Sequence, residues 1–455
     1  MPPLTPVIFI PGFPASELRD GKTTVFPPTP GTLLDDVRKQ AFFDAMLDIP
    51  GRLTAGPPIR SVLGIAKQAQ SLYDILQRIG YTIAANGPSK DFLPFGWDWR
   101  LGVDAEVTMD ALADAVRRFA PKRVVPILHS TGVLVFRAFL AAHPELRDSI
   151  DHVLAFGGAW CGTLEALFAV HVGHSESILG LKLITADEGA NLIGHMQAAY
   201  DLFPPDPART DMDEVPLVHG LDGRPAGAAV DTSWIKTGRE AYAQPLADAA
   251  NARLGARSSD FGSLPLTNIV GWGGPTWPAA VLAPNDVHFL PPDKDFGDGT
   301  VPFVSASWIR GANVRTIVIP IGAFVADPIA DLHAHMWESV AVQQVIREVL
   351  QGAAPDALIA AAADADEALD IESPAVTIRM TAQASDGSPL PNCIAVAKIN
   401  GSRIPISFRG ERRAILRLSR AGLHHNASSD VYRFTIDFRW DGGSRSNIAV
   451  AIKAP

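Results

Sequence analysis

Residues 124–139 read Val124-Val-Pro-Ile-Leu-His129-Ser130-Thr131-Gly132-Val-Leu-Val-Phe-Arg-Ala-Phe139. A short apolar run ends in His-Ser-x-Gly, and apolar residues at helical spacing follow at once. That order predicts a strand, a sharp turn carrying Ser130 and a helix folded back on the strand, the layout of a nucleophile elbow. Two residues depart from the usual form. Leu128 stands where a small residue normally lets strand and helix approach. Pro126 sits inside the strand with no N–H to give a neighbour. Serine also caps helices well, so the turn alone leaves Ser130 either a nucleophile or a cap.

Outward from this stretch, strand-like runs alternate with helical patterns over residues 1–350. Val7–Ile10 reads as a strand ending in Pro11-Gly12, Val107–Phe119 as a helix, and Val124–Leu128 and Val133–Ala142 as the strand and helix of the elbow. His152–Phe156 reads as a strand ending in Gly157-Gly158. Asn268–Val270 and Val314–Ile321 are further strands, and Met336–Leu350 is a helix. The alternation predicts an α/β fold, a largely parallel sheet covered on both faces. In such sheets chemistry gathers beyond the carboxyl ends of the strands. Residues 19–100, rich in Pro and Gly around a helix at Ser61–Ile79, break the rhythm. So do residues 163–265, helical and histidine-bearing at first, then loop-rich around Phe203–Gly227. Both read as cap or lid insertions. Residues 351–373 are an Ala/Asp-rich linker. Residues 374–455 alternate as strands separated by Gly, Asn and Ser turns, which predicts a small β-sandwich-like accessory domain. It shows no catalytic cluster, and its partner is unassigned.

Lys plus Arg number 39 against 49 Asp plus Glu, a net charge of −10. That balance argues against a nucleic-acid binder, which needs a basic footprint. Cys161 and Cys393 are too far apart in sequence to imply a disulfide framework. The opening Met1-Pro-Pro-Leu-Thr-Pro6 lacks the pattern of a signal peptide, so the chain as given is expected in the cytoplasm, or in a secreted or periplasmic location if a leader has been removed. No apolar run reaches membrane-spanning length. Peripheral contact with a lipid aggregate stays compatible with the composition.

A serine hydroxyl needs a base, and the base needs a group to orient it. On an α/β sheet the three appear in the order Ser, acid, His. Ser130 is followed by Gly297-Asp298-Gly299-Thr300-Val301-Pro302, then by Asp331-Leu332-His333-Ala334-His335. Each falls in a loop after a strand. Asp298 is the expected acid, although Asp-Gly loops also serve as plain turns or, with Asp293 and Asp295 nearby, as cation sites. His333 and His335 compete as the base. His171, His174 and His195 come before the acid in sequence. A tetrahedral intermediate needs backbone donors. The N–H of Phe13, in the loop after the first strand, and that of Thr131, directly after the serine, are the candidates; Pro14 cannot donate. Trp97, Trp99 and Trp160 are candidates for the wall of an apolar acyl pocket or, equally, for core packing. No cofactor and no metal are expected.

The assembled pattern resembles the lecithin:cholesterol acyltransferase family, with its lysosomal-type phospholipases and phospholipid:diacylglycerol acyltransferases. The resemblance rests on several segments in family order. Val7-Ile-Phe-Ile-Pro-Gly-Phe-Pro-Ala-Ser-Glu-Leu18 looks like the opening oxyanion strand and loop. Phe95-Gly-Trp-Asp-Trp-Arg100 is similar to a Tyr-Asp-Trp-Arg motif. His129-Ser-Thr-Gly-Val-Leu-Val-Phe-Arg137 resembles the elbow and its helix, and Gly157-Gly-Ala-Trp-Cys-Gly162 a Gly-Ala-Pro-Trp-Gly-Gly segment. Gly271-Trp-Gly-Gly-Pro-Thr276 looks like a Gly-x-Gly-x-Pro-Thr turn, Gly297–Pro302 like the acid loop, and His333-Ala-His-Met336 like a closing His-x-x-Met. The resemblance implies an α/β-hydrolase fold, a Ser130–Asp298–His333 triad and an oxyanion hole of the Phe13 and Thr131 amides. It favours His333 over His335. It implies a lipid or other ester substrate, cleaved by water or passed to an alcohol. The cysteine pair of secreted animal members is absent from the early lid region, and the β-rich tail lies outside the resemblance. Hydrolysis of carboxylic esters is the leading expectation, lipid O-acyl transfer the alternative. A catalytically degenerate hydrolase fold acting as a binding module is the reading from a different class.

Overall fold

The computed structural model describes residues 4–62, 66–67, 69–84, 88–173, 176–178, 181–206, 217–253, 261, 264–272, 274–292, 296–309, 313–320, 333–338, 340–351, 364–365, 375–381, 394–399, 402–408, 413–419, 431–440 and 443–453. Six of its strands form the main sheet: β1 (Val7–Ile10), β2 (Phe92–Pro94), β3 (Val125–His129), β4 (Val153–Phe156), β5 (Leu266–Trp272) and β6 (Val314–Pro320). They lie in the order β6-β5-β4-β3-β1-β2, and every neighbouring pair is parallel. The helices that matter for the site are α1 (Asp36–Leu47), α2 (Gln70–Ile79), α3 (Glu106–Arg117), α4 (Gly132–Ala142), α5 (Leu164–His171) and α6 (Val340–Gln351).

Side chains alternate across each strand, so each strand serves two cores. Val7, Phe9, Val125, Ile127, Leu154 and Phe156 pack with Leu72, Ile75 and Leu76 of α2 and Val342, Val345 and Ile346 of α6. Ile8, Ile10, Leu128, Val153 and Ala155 share the opposite core with Met109, Leu112 and Val116 of α3 and Val133, Phe136 and Leu140 of α4. Burial on both faces explains why these strands read as continuous apolar runs.

The proline in β3 is accommodated by register. Val124 donates to Ser149 on the β4 side and Val125 donates to Pro6 on the β1 side. Alternate residues thus turn to opposite neighbours, which puts Pro126 on the β4 side. The β3–β4 pairing begins only at Ile127 opposite Leu154. The missing N–H therefore falls in the gap between the isolated Val124–Ile150 bridge and the start of the ladder. Leu128 is fully buried and lies in register with the small Ala155. The close approach the elbow needs comes from Gly132 instead. A Cβ there would lie 2.5 Å from the carbonyl oxygen of Ile10, so only glycine lets α4 start against the end of β1.

Several sequence expectations need correction. Ser61–Ile79 is not one helix. Ser61–Val62 and Ala66–Lys67 pair antiparallel, and the helix runs over Gln70–Ile79 only, where Leu72, Ile75, Leu76 and Ile79 take helical spacing. The first insertion also carries an antiparallel sheet of Ser16–Asp20, Thr23–Phe26 and Thr54–Pro58 that the sequence reading did not contain. The last helix begins at Val340, preceded by a 3-10 turn over His333–Glu338. In the second insertion α5 is followed by helices Ala186–Ile193, Gln197–Asp201 and Glu240–Arg253. A salt bridge of 2.7 Å from Lys39 on α1 to Glu188 links the two insertions.

After residue 351 the described chain is all strand. Asp364–Ala365, Ala375–Thr381 and Arg413–Ser419 form one antiparallel sheet; Ser402–Ser407, Ile394–Ile399, Val431–Trp440 and Gly443–Lys453 form another. Ser402–Ser407 was not anticipated. It contains Pro405 and lies on the edge of its sheet, where a strand proline is tolerated. Most of the expected linker lies outside the described residues, as do Cys393, Asp293, Asp295 and Asp331. Among the described residues no helix is long and apolar enough to cross a membrane.

Candidate active site

Strand order reverses around β1, which has β3 on one side and β2 on the other. A crevice at the carboxyl ends is expected there. β3 ends at His129, α4 starts at Gly132, and Ser130 lies between them with φ +53°. A non-glycine residue in this left-handed region costs about 1–3 kcal/mol and persists only where its surroundings fix it. Here the Ser130 N–H donates to Phe156 O at 3.0 Å, tying the turn to the end of β4. The loop after β1 crosses directly over the serine. A Cβ at Gly12 would stand 2.6 Å from Ser130 Cβ, so a side chain at that position would displace the turn.

The two candidate oxyanion donors adjoin. The Phe13 N–H donates to Thr131 Oγ1 at 3.3 Å, a long bond that an incoming oxyanion can share. Thr131 is fully buried at the N-terminus of α4, where the helix dipole favours negative charge.

Asp298 is fully buried, and each oxygen has its work. Oδ1 accepts the N–H groups of Thr300 at 3.0 Å and Val301 at 2.8 Å. Oδ2 meets Nδ1 of His333 at 2.7 Å. The loop is held from below by the turn after β5. Gly274 N–H donates to Gly297 O at 2.9 Å. Thr276 Oγ1 accepts the Gly299 N–H and donates to Gly274 O, both at 2.8 Å. Asp293 and Asp295, which the cation reading groups with Asp298, lie outside the described residues. Among the described residues no cluster of three His, Cys, Asp or Glu side chains is placed to hold a metal ion.

It is His333 that carries the bond to Asp298, not its competitor His335. Two links bring it to the elbow. The position a Gly157 Cβ would occupy is 2.8 Å from His333 Nδ1, and Gly157 follows the Phe156 that holds Ser130. On the other side His129, the residue before the serine, bonds through Nε2 to the His333 carbonyl at 3.0 Å. Burial, and then the neighbouring His333, hold the His129 pKa down to about 3, so its ring is neutral across the ordinary working range. Of the earlier histidines, His171 pairs with Asp286 at 3.1 Å and His195 stacks on Tyr242, while His174 lies outside the described residues.

The three tryptophans are fully buried. Each ring N–H is satisfied at 3.0–3.2 Å, Trp97 on Pro11 O, Trp99 on Ser16 O and Trp160 on Asn268 Oδ1. Trp97 and Trp99 brace the loop after β1, with Trp99 edge-on against Phe13 at 5.3 Å, and Trp160 packs edge-on against Phe261 at 5.0 Å. The Asp98-Trp-Arg100 motif is a clamp. The Arg100 guanidinium is fully buried, pairs with Asp98 at 2.7 Å and donates to the carbonyls of Ala45, Asp48, Pro50 and Leu53.

His129, Thr276 and Arg100 are the site-supporting residues that sequence reasoning did not assign. All three stand inside segments quoted for their spacing, but their partners lie 204, 23 and 47–55 residues away.

A search of curated proteins finds no match. Among solved structures, the Tle4–Tli4 complex matches with a TM-score of 0.52 at 13% identity, covering 76% of this chain and 98% of that one. The mature lipase BlEst2 of Bacillus licheniformis matches with a TM-score of 0.31 at 11% identity, covering 77% of this chain and 93% of that one. Residues 55–218 match the family model of lecithin:cholesterol acyltransferase. The six-stranded parallel sheet, its helical layers and the likeness to the Tle4–Tli4 complex give the chain an α/β-hydrolase-superfamily fold, with the segment from 55 to 218 similar to the lecithin:cholesterol acyltransferase family.

Proposed function

We propose that this chain is a serine hydrolase of carboxylic esters, with lipid esters as the substrate class, working through an acyl-enzyme. The observation that carries the reading is the pairing of a left-handed Ser130 on a strand-to-helix turn with a buried His333–Asp298 bond of 2.7 Å. His333 takes the Ser130 proton as the hydroxyl attacks the ester carbonyl. Asp298 holds the imidazole so that the proton-accepting nitrogen is Nε2 and steadies the imidazolium. The Phe13 and Thr131 amides meet the oxyanion. His333 then protonates the leaving alcohol, and water resolves the acyl-enzyme by the same steps in reverse. Lipid esters are favoured by the match of residues 55–218 to the acyltransferase family model. That match also keeps an alcohol as a second acceptor for the acyl group.

The test is a panel of esters graded in chain length and headgroup, run on wild type, Ser130→Ala and His333→Ala, with free acid and acylated alcohol both quantified. Each substitution is expected to lower kcat by at least about 10³-fold. Fluorophosphonate should label wild type and leave Ser130→Ala unlabelled. Turnover that survives loss of Ser130 overturns the mechanism. Absence of both turnover and labelling in folded wild type supports the binding-module reading instead. Acylated alcohol in place of free acid makes the protein a transferase.

A further inference from the structure

We propose that His129 is a positioning residue for this reaction: by donating its ring N–H to the carbonyl of His333, it fixes the base relative to the nucleophile turn. The inference rests on the reading of Ser130, Asp298 and His333 as the triad.

A carbonyl only accepts, so the 3.0 Å contact from His129 Nε2 to His333 O requires the proton on Nε2. This fixes one tautomer of His129. The bond joins the residue directly before the serine to the backbone of the base, across 204 residues of chain. His333 is then held at Nδ1 by Asp298 and at its own carbonyl by His129. A ring tethered only at Nδ1 can still rise or swing with its backbone. Tethered at both ends, it keeps its height over the elbow.

The rings are also in contact, with centroids 4.7 Å apart and planes tilted by 34°, and Trp337 closes the same cluster at 5.5 Å from His129. A charge on His129 would sit beside the imidazolium that forms on His333 during the reaction. The burial that keeps His129 neutral avoids that repulsion. The position thus asks for an N–H donor that stays uncharged and fills a ring-sized space.

Three substitutions separate donor from filler. His129→Phe keeps a ring and removes the N–H. His129→Gln keeps a neutral N–H at about the reach of Nε2. His129→Asn keeps an amide that is too short. His129→Phe and His129→Asn are expected to lower kcat on the order of 10–100-fold, because small displacements of a catalytic group are costly. KM should stay within about two-fold, since the interaction is not with substrate. His129→Gln should recover most of the loss. Fluorophosphonate labelling of Ser130 should slow in the same order.

A kcat for His129→Phe close to wild type overturns the inference. So does a His129→Gln enzyme as slow as His129→Asn with the same melting temperature. If His129→Phe fails to fold, the comparison of Gln with Asn still decides; if His129→Gln or His129→Asn does, the kcat of His129→Phe against wild type decides. Ser130→Ala run alongside separates the two claims. If it is inactive while His129→Phe is fast, only the positioning role fails; if it turns over ester, the triad reading fails and takes this inference with it.

Discussion

A half-buried histidine that folding holds in its neutral form makes a protein sensitive to acid. Burial, with lesser effects from neighbours, holds His129 down to about 3 and His152 down to about 4. In the unfolded chain both titrate near 6.5. Between 6.5 and the folded values the unfolded chain binds the proton and the folded chain does not, so stability falls as pH falls through that window. Each group contributes up to about 1.4 kcal/mol per pH unit there. Denaturant unfolding at pH 7 and pH 5 should show this slope. His152→Gln, which keeps a donor for Thr267 Oγ1, should flatten it by about that amount per unit, and an unchanged slope would remove His152 from the account. At this scale the chemistry-bearing residues were legible, because Ser130, Asp298 and His333 each follow an apolar run and stand in the order an α/β sheet requires. The partner of His129 was not. Nothing local marks a bond to a carbonyl 204 residues away.

At the scale of elements, the acid loop shows how a short turn can be built from outside itself. Thr276 is buried after β5; its hydroxyl donates to Gly274 O and accepts from Gly299 N–H, 23 residues further on. Thr276→Val conserves volume and leaves both backbone groups without that hydroxyl. It should cost about 1–3 kcal/mol of stability. It should also lower kcat more than it changes KM, since Asp298 is displaced and not the substrate. Steady-state kinetics beside thermal unfolding checks this; a fully active, fully stable variant would show the bridge to be incidental. Five strands of the main sheet were legible from apolar runs, as two-sided burial requires; the edge strand β2, three residues of Phe-Leu-Pro inside the Pro- and Gly-rich first insertion, was not. The stretch Ser61–Lys67 was not, because a two-residue strand pair is too short for its period to separate from that of the helix that follows. The elbow lay between these cases. Its turn was legible, but the roles of Pro126 and Leu128 depend on where β4 starts and on how closely Gly132 approaches β1.

At the scale of the whole molecule, the Arg100 clamp and the Lys39–Glu188 bridge divide the first insertion into two kinds of ground. The bridge is partly exposed, with side-chain exposures of 17% and 37%, and ion pairs of that kind hold weakly. The clamp is fully buried, and separating Ala45, Asp48, Pro50 and Leu53 from it would strand a guanidinium and its carbonyls away from water. Hydrogen exchange should therefore find the 45–53 stretch protected well beyond residues 30–40. Arg100→Lys, which loses the planar fork, should erase that contrast and lower unfolding free energy by roughly 1–3 kcal/mol. Equal exchange in both stretches of wild type would argue against the division. If a bulky ester enters under this insertion, the door cannot swing at residues 45–53. The guanidinium is the doorpost: any displacement of the insertion that leaves it paired must leave Ala45, Asp48, Pro50 and Leu53 where they stand.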